Sequence, residues 1–399
     1  MSDLYLIKNQ IRQNVNEKIA HYPDIEDDQL QDVITEEVLS YEQADILSFS
    51  QKEKLIVSIY NSMRKLDILQ PFLEDDSISE IMINGPDCIF VEKGGRMERI
   101  HQSFETSDTL HNIIQNVVTK VNRSVNETTP IVDARLEDGS RVAVVLPPVA
   151  LQGPIMTIRK FPENPLTMEH LLRSGSMTQE AADFMQMLVT SKYNIFISGG
   201  TSSGKTTFLN ILSNYIPSEE RIVTIEDSAE LQIKGKENII RLEARSDASG
   251  GCPIAIRDLI KTALRLRPDR IIVGEVRGRE ALDMLQAMNT GHDGSLSTGH
   301  ANNPRDALKR LEVMAVESGE IPLDSAKQQI VSAIDIVVQL SRMGDGKRRV
   351  MNISELAGIE KGEYVMNHLF SYNLEKGGLL RTGELLNTNK LNLSRSLNK

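Results

Sequence analysis

Apolar positions change their spacing twice along this chain, and each change marks a different kind of structure. In residues 1–65 they recur at helical intervals: Ile7, Ile11, Val15 and Ile19, then Leu30, Val33, Ile34 and Val38. That spacing predicts amphipathic helices, separated by an acidic, proline-bearing break from Tyr22 to Asp28. Ser50 and Glu53 fit a capping box for a third helix carrying Leu55, Ile56, Ile59, Tyr60, Met63 and Leu66. From 66 to 163 the period shortens. Glu80–Ile83, Cys88–Val91 and Arg96–Ile100 read as strands joined by turns at Asn84–Asp87 and Gly94–Gly95. A helix with Leu110, Ile113, Ile114, Val117, Val118 and Val121 on one face comes next, then strands around Arg141–Leu146 and Ile155–Arg159. This predicts an α+β N-domain, closed by a proline-rich linker at Phe161–Pro165.

Residues 164–375 alternate the two patterns. Strands are expected at Asn194–Ile197, Arg221–Ile225, Asn238–Leu242, Arg270–Gly274 and Gly294–Thr298. Helices fall between them, including Ile254–Leu266 and Pro304–Glu317, the latter with Asn303 as cap and Pro304 at its first position. Such alternation implies an α/β fold, a mostly parallel sheet with helices on both faces and ligands at the carboxyl ends of the strands. Residues 376–399 are polar and are expected to form a flexible C-terminal tail.

Composition narrows the class. The chain, at 399 residues, can bury more than one core. No stretch approaches the roughly 18–20 uninterrupted apolar residues of a membrane span, and the first residues lack a signal peptide's apolar centre, so a cytoplasmic protein is expected. Cys88 and Cys252 are the only cysteines, too few for a disulfide framework or a four-thiolate zinc site. A net charge of −11, no tryptophan and 4% aromatics argue against nucleic acid as the main partner.

The strongest chemical signal is GGTSSGKT at 199–206, which fits the phosphate-binding loop G-x-x-x-x-G-K-[ST]. An apolar run precedes it and a helical run succeeds it, the strand–loop–helix context the chemistry needs. Glycines allow successive backbone N–H groups of Gly200, Thr201, Ser202, Ser203 and Gly204 to face phosphate oxygens, and the helix start through Thr206 and Thr207 adds its partial positive charge. Lys205 is expected to reach the β- and γ-phosphates of ATP, and the Thr206 hydroxyl to hold Mg²⁺. Two apolar strands end in acids: Arg270–Gly274 in Glu275, and Ile222–Ile225 in Glu226 and Asp227, with Glu230 close behind. Carboxylates beside a triphosphate would repel it unless they place a metal or the attacking water. Glu275, Glu226 and Glu230 are therefore candidates for water activation, and Asp227 for the metal. TGHDGSLSTGH at 290–300 carries His292 and His300 at a spacing unlike helical metal-ligand pairs, so zinc is not expected; neutral imidazoles there can instead sense a γ-phosphate. Arg135, Arg141 and Arg159 are candidate arginine fingers. Arg257, Arg265 and Arg267 are weaker ones.

In their order these motifs resemble the type II/type IV secretion ATPases, or traffic ATPases. GGTSSGKT is similar to their Walker A loop, TIEDSAEL (Thr224 to Leu231) to their Asp box, RIIVGEVRG (Arg270 to Gly278) to their Walker B, and TGHDGSLSTGH to their His box. EIMINGPDCIFVEKGGRMERI, DARLEDGSRVAVVLPP and ALDMLQAMNTGHDGSLSTGHANNPRDALKRLE look most like the CpaF-like branch, which serves tight-adherence (Flp) pilus assembly. Two cysteines cannot supply the four-cysteine zinc insertion found in many type II relatives. The resemblance covers about residues 66–372. It implies a RecA-like P-loop ATPase core, preceded by an α+β N-domain and a small helical N-terminal segment. It also implies a hexamer with nucleotide sites between N-domain and core, phosphate contacts from Arg135, Arg141 or Arg159, and docking from the cytoplasm onto an inner-membrane platform protein. The expected function is a motor that hydrolyses ATP to assemble a pilus or secrete protein. A nucleic-acid-translocating motor on a similar core, or an ATP-gated scaffold with little turnover, are the alternatives.

Overall fold

The computed structural model describes residues 3–397 apart from 21, 23–24, 42–46, 122, 137, 162–163 and 246–251. Contacts divide the chain once, between Pro162 and Glu163, into two compact units. Both of those residues of the expected linker lie outside the described ones, as do Pro23 and Asp24 of the first break.

In the first unit, helices α1 (Asp3–Ile19), α2 (Asp27–Ser40) and α3 (Phe49–Arg64) pack around Ile7, Ile11, Val15, Leu30, Ile34, Val38, Leu55 and Ile59. The cap of α3 falls one register earlier than the sequence suggests. Ser48, not Ser50, is its N-cap: Gln51 N donates to Ser48 Oγ at 3.4 Å, and Ser48 N donates to Gln51 Oε1 at 2.8 Å. Both serines fit the capping pattern; the earlier box starts the helix at Phe49, whose side chain is exposed and adds nothing to the apolar face. Lys8–Asp67 at 3.3 Å and Arg12–Glu105 at 3.1 Å tie this helical segment to the sheet module, so residues 1–65 share one unit with it.

After a short helix α4 (Gln70–Glu74), strands β1 (Ile78–Asn84), β2 (Ile89–Lys93) and β3 (Arg96–Ile100) lead to α5 (Ser107–Lys120). Strands β4 (Ile131–Arg135), β5 (Arg141–Val145) and β6 (Ile155–Arg159) complete an antiparallel sheet of order β3-β2-β1-β6-β5-β4. The α5 apolar stripe and the inward residues Ile81, Ile83, Val91, Val142, Val144 and Ile158 form one core. Strand β4 escapes a periodicity reading because Asp133 and Arg135 interrupt a short run.

The second unit begins with α6 (Met168–Arg173) and α7 (Gln179–Thr190), then β7 (Ile195–Gly199), α8 (Lys205–Ser213), β8 (Ile222–Glu226) and β9 (Ile239–Glu243). Next come α9 (Ile256–Ala263), β10 (Arg270–Val273), α10 (Glu280–Asn289), β11 (Leu296–His300), α11 (Pro304–Val316) and α12 (Leu323–Ala333). The chain closes with β12 (Ile336–Arg342), β13 (Arg348–Glu360), β14 (Glu363–Asn373), β15 (Gly378–Arg381) and α13 (Asn389–Leu397). The nine strands run in the order β15-β14-β13-β12-β7-β11-β10-β8-β9. Pairing is parallel from β12 to β9 and antiparallel from β12 to β15. Buried residues on the two faces of this sheet form two separate apolar clusters, as a sheet covered by helices requires.

The segment expected to be a loose tail is folded against this unit. Strand β15 pairs with β14, and Tyr193 Oη donates to Asn387 O at 2.7 Å. Lys390 Nζ lies 2.7 Å from both Asp335 Oδ2 and Asp293 Oδ1. Its polar composition misleads because a few scattered apolar anchors suffice, with Leu379 buried in the core and Leu385 and Leu391 packed against it, alongside ion pairs and backbone hydrogen bonds.

Candidate nucleotide site

Strand β7 is wholly buried, and β11 lies between it and β10. The phosphate loop and Glu275 therefore emerge two strands apart, with His300 at the end of the strand between them; His300 is paired in register with Gly199. The loop itself takes left-handed backbone at Ser202 (φ 57°) and Gly204 (φ 92°). At Gly199 a side chain is impossible, since a Cβ would lie 2.7 Å from Leu340 O. Ser203 Oγ donates to Gly200 O at 2.8 Å, and Arg348 Nε, from the start of β13, donates to Ser202 O at 2.9 Å. Gly204 serves as N-cap of α8, so Lys205, Thr206 and Thr207 form its first turn and the helix's positive end faces the loop.

Lys205 is buried, and its Nζ donates to Gly200 O at 3.1 Å. The same nitrogen lies 3.3 Å from His300 Nδ1. His300 Nε2 is 2.9 Å from Glu275 Oε1, and Arg277 donates to Glu275 Oε2 at 2.8 Å. Asp227 ends the series, 4.0 Å from Arg277. Burial first, and then the Lys205 ammonium, push the His300 pKa below the usual histidine range. A neutral ring there can accept from the Lys205 ammonium, which lies 3.3 Å from Nδ1 and 3.5 Å from Nε2.

Glu226 lies deeper. Its Oε1 accepts from Glu230 N at 2.9 Å and Leu231 N at 3.0 Å, while the buried Oε2 has no hydrogen-bond partner. Burial raises its pKa to about 7 against the effect of those two amides. Gly274 makes room for it, because a Cβ there would approach Glu226 Cγ to 2.9 Å. Glu230 reaches this carboxylate through its backbone.

The acids and hydroxyls here are hard oxygen donors, and the orphaned Glu226 Oε2 is a buried acceptor lacking a partner; the set suits Mg²⁺ with a triphosphate. In the first unit, Arg135, Arg141 and Arg159 are direct cross-strand partners, and Glu80 and Glu92 continue the row. Direct partners project from the same face, so the three candidate arginines form one row on their own sheet, on the side away from its apolar core. Arg135 also stacks over the Phe161 ring at 5.5 Å.

His292 does not join the site. It precedes β11, at the opposite end of the strand from His300, with Nδ1 3.2 Å from Ala287 O. Arg257 is held by Asp283 at 2.8 Å and by Glu320. Sequence reasoning missed Arg277 and Arg348. Arg277 stands two residues beyond Glu275, which is a signal; Arg348 is distant in sequence and gives none.

The family described as type II/IV secretion system protein matches residues 63–365. An uncharacterised protein of Methanocaldococcus jannaschii is 39% identical over 298 residues, 71% of this chain and 40% of that longer protein. The conjugal transfer protein TrbB of Rhizobium radiobacter is 34% identical over 74% of this chain and 89% of its own length. Among solved structures, that of the pilus retraction motor PilT with bound ADP covers 84% of this chain and 88% of its own, at a TM-score of 0.52 and 19% identity, which is a likeness of fold.

Proposed function

The chain belongs to the type II/IV secretion system protein family, and from that membership we propose that it is a motor that hydrolyses ATP to drive a pilus-assembly or secretion machine. The series Lys205–His300–Glu275–Arg277–Asp227, gathered at the carboxyl ends of neighbouring strands, carries the proposal. The loop amides and Lys205 bind the phosphates, and Thr206 with Asp227 would hold Mg²⁺. That ion, when bound, offsets the charge of the phosphates and of the acids around them. Glu275 orients the attacking water and accepts its proton, with Glu226 as the alternative base. His300 joins Lys205 to Glu275 and registers the state of the phosphate.

The finer reading rests on the CpaF-like segments: a tight-adherence pilus ATPase working as a hexamer on the cytoplasmic face of the inner membrane, against a platform protein. In that reading Arg135, Arg141 and Arg159 offer guanidinium groups to phosphate. No described helix is long and apolar enough to cross a membrane, so membrane contact on this reading is made through a partner.

Phosphate release from Mg-ATP tests the motor. The wild-type chain should turn over, Lys205→Ala should lose tight nucleotide binding, and Glu275→Gln should bind but hydrolyse about 10²–10⁴-fold more slowly. Unchanged turnover in Glu275→Gln moves the base role to Glu226. A folded wild-type chain that ignores Mg-ATP removes the motor altogether. Chromatographic size with and without a non-hydrolysable ATP analogue tests the ring.

A further inference from the structure

Beside the phosphate loop, on the α11 side, lies a cleft of about 520 Å³ lined by Gly200, Thr201, His300, Asp306, Lys309 and Arg310, among others. It meets the catalytic series at His300, which lies 3.3 Å from Lys205 Nζ and also lines the cleft. Its charges are unbalanced. Asp306 is engaged by the cap residue, accepting from Asn303 Nδ2 at 2.6 Å. Among the described residues, neither Lys309 nor Arg310 has an acidic partner. Other arginines of this unit do: Arg257 on Asp283, Arg270 on Glu220, Arg277 on Glu275 and Arg349 on Asp345.

Both cations come from one turn of α11, and the helix is fixed there by the Asn303 cap and by buried Ala307, Leu308 and Leu311. A guanidinium and an ammonium without acidic partners, facing a space next to a phosphate loop, are suited to the oxygens of a tetrahedral anion. The positive field already extends inward, since Arg310 contributes to holding His300 neutral. We propose that Lys309 and Arg310 form a second phosphate subsite that extends the loop's own. It takes a phosphoryl group in the cleft beside the loop and His300, either the γ-phosphoryl of bound nucleotide or the inorganic phosphate after cleavage. The subsite rests on the nucleotide-binding reading of the loop.

Displacement of a fluorescent nucleotide from the full chain decides it, using ADP, a β,γ-imido ATP analogue and inorganic phosphate on wild type, Arg310→Gln, Lys309→Gln and Arg310→Lys. If the subsite holds the γ-phosphoryl, Arg310→Gln weakens the triphosphate analogue about tenfold, the scale of one charge-assisted hydrogen bond, and leaves ADP unchanged. If it holds free phosphate, both nucleotides bind normally and inhibition of turnover by added phosphate weakens by a similar factor. In either case Arg310→Lys recovers part of the loss. Should Arg310→Gln lose ADP as well, Lys309→Gln is judged by the same comparison. Variants indistinguishable from wild type toward all three ligands overturn the subsite alone. A wild-type chain that binds neither nucleotide overturns the nucleotide reading and the subsite with it.

Discussion

Glu226 shows how much one residue's surroundings decide. A carboxyl held near pKa 7 in the folded chain and near 4.5 when unfolded binds more protons folded than unfolded between those values. Its contribution to stability is therefore fully present at low pH and is lost as pH rises from about 4.5 through about 7, a change on the order of 3 kcal/mol. Urea midpoints at pH 5 and pH 8 should differ more for wild type than for Glu226→Gln, in the direction of lower wild-type stability at the higher pH; equal differences refute the assignment. At this scale the sequence was legible where one motif fixes both identity and place, as at Lys205, and where an apolar strand ends in an acid, as at Glu275. It was not legible for contacts such as Arg348 with Ser202, because β12 and β13 bring distant residues together only after the sheet is built.

Elements up to β11 and α11 were mostly readable, since a buried strand or a helix with one apolar stripe writes its period into the chain, whereas β12 to β15, an antiparallel run with no helices between, were not read as strands. The exceptions are informative. His292 and His300 share one short motif yet stand at opposite ends of β11, because an extended strand separates its ends by more than any side chain spans. The start of β10 supplies a different lesson. Arg270 is fully buried, pairs with Glu220, and donates to Val189 O at 2.9 Å and Gly294 O at 3.1 Å, joining four segments at the amino ends of the strands. Removing Arg270 leaves buried Glu220 with only the more distant Lys192 at 3.7 Å and strips two carbonyls of their donor, so Arg270→Ala should cost about 3 kcal/mol in chemical denaturation. The double variant with Glu220→Ala should lose less than the sum of the singles.

For the molecule as a whole, the four apolar clusters sort cleanly, two within each unit. A chain beginning at residue 164 should therefore fold by itself, give a cooperative melt and retain ADP binding; an uncooperative melt would show that the second unit depends on the first. A boundary was legible at the prolines near 162, where contacts divide the chain, but the change of period also separated residues 1–65, which the first unit includes. The closing segment was not legible, because its apolar anchors Leu379, Leu385 and Leu391 are scattered and its other ties are Lys390 with two aspartates and a tyrosine hydroxyl on a carbonyl. Those ties have a practical corollary. Asp293 and Asp335 stand just before β11 and β12, at the strand ends opposite the phosphate loop, and α13 is stitched to them. A fluorophore or affinity handle appended after α13 would sit at the strand ends away from the phosphate loop, placed to report on the chain's surroundings without crowding that loop.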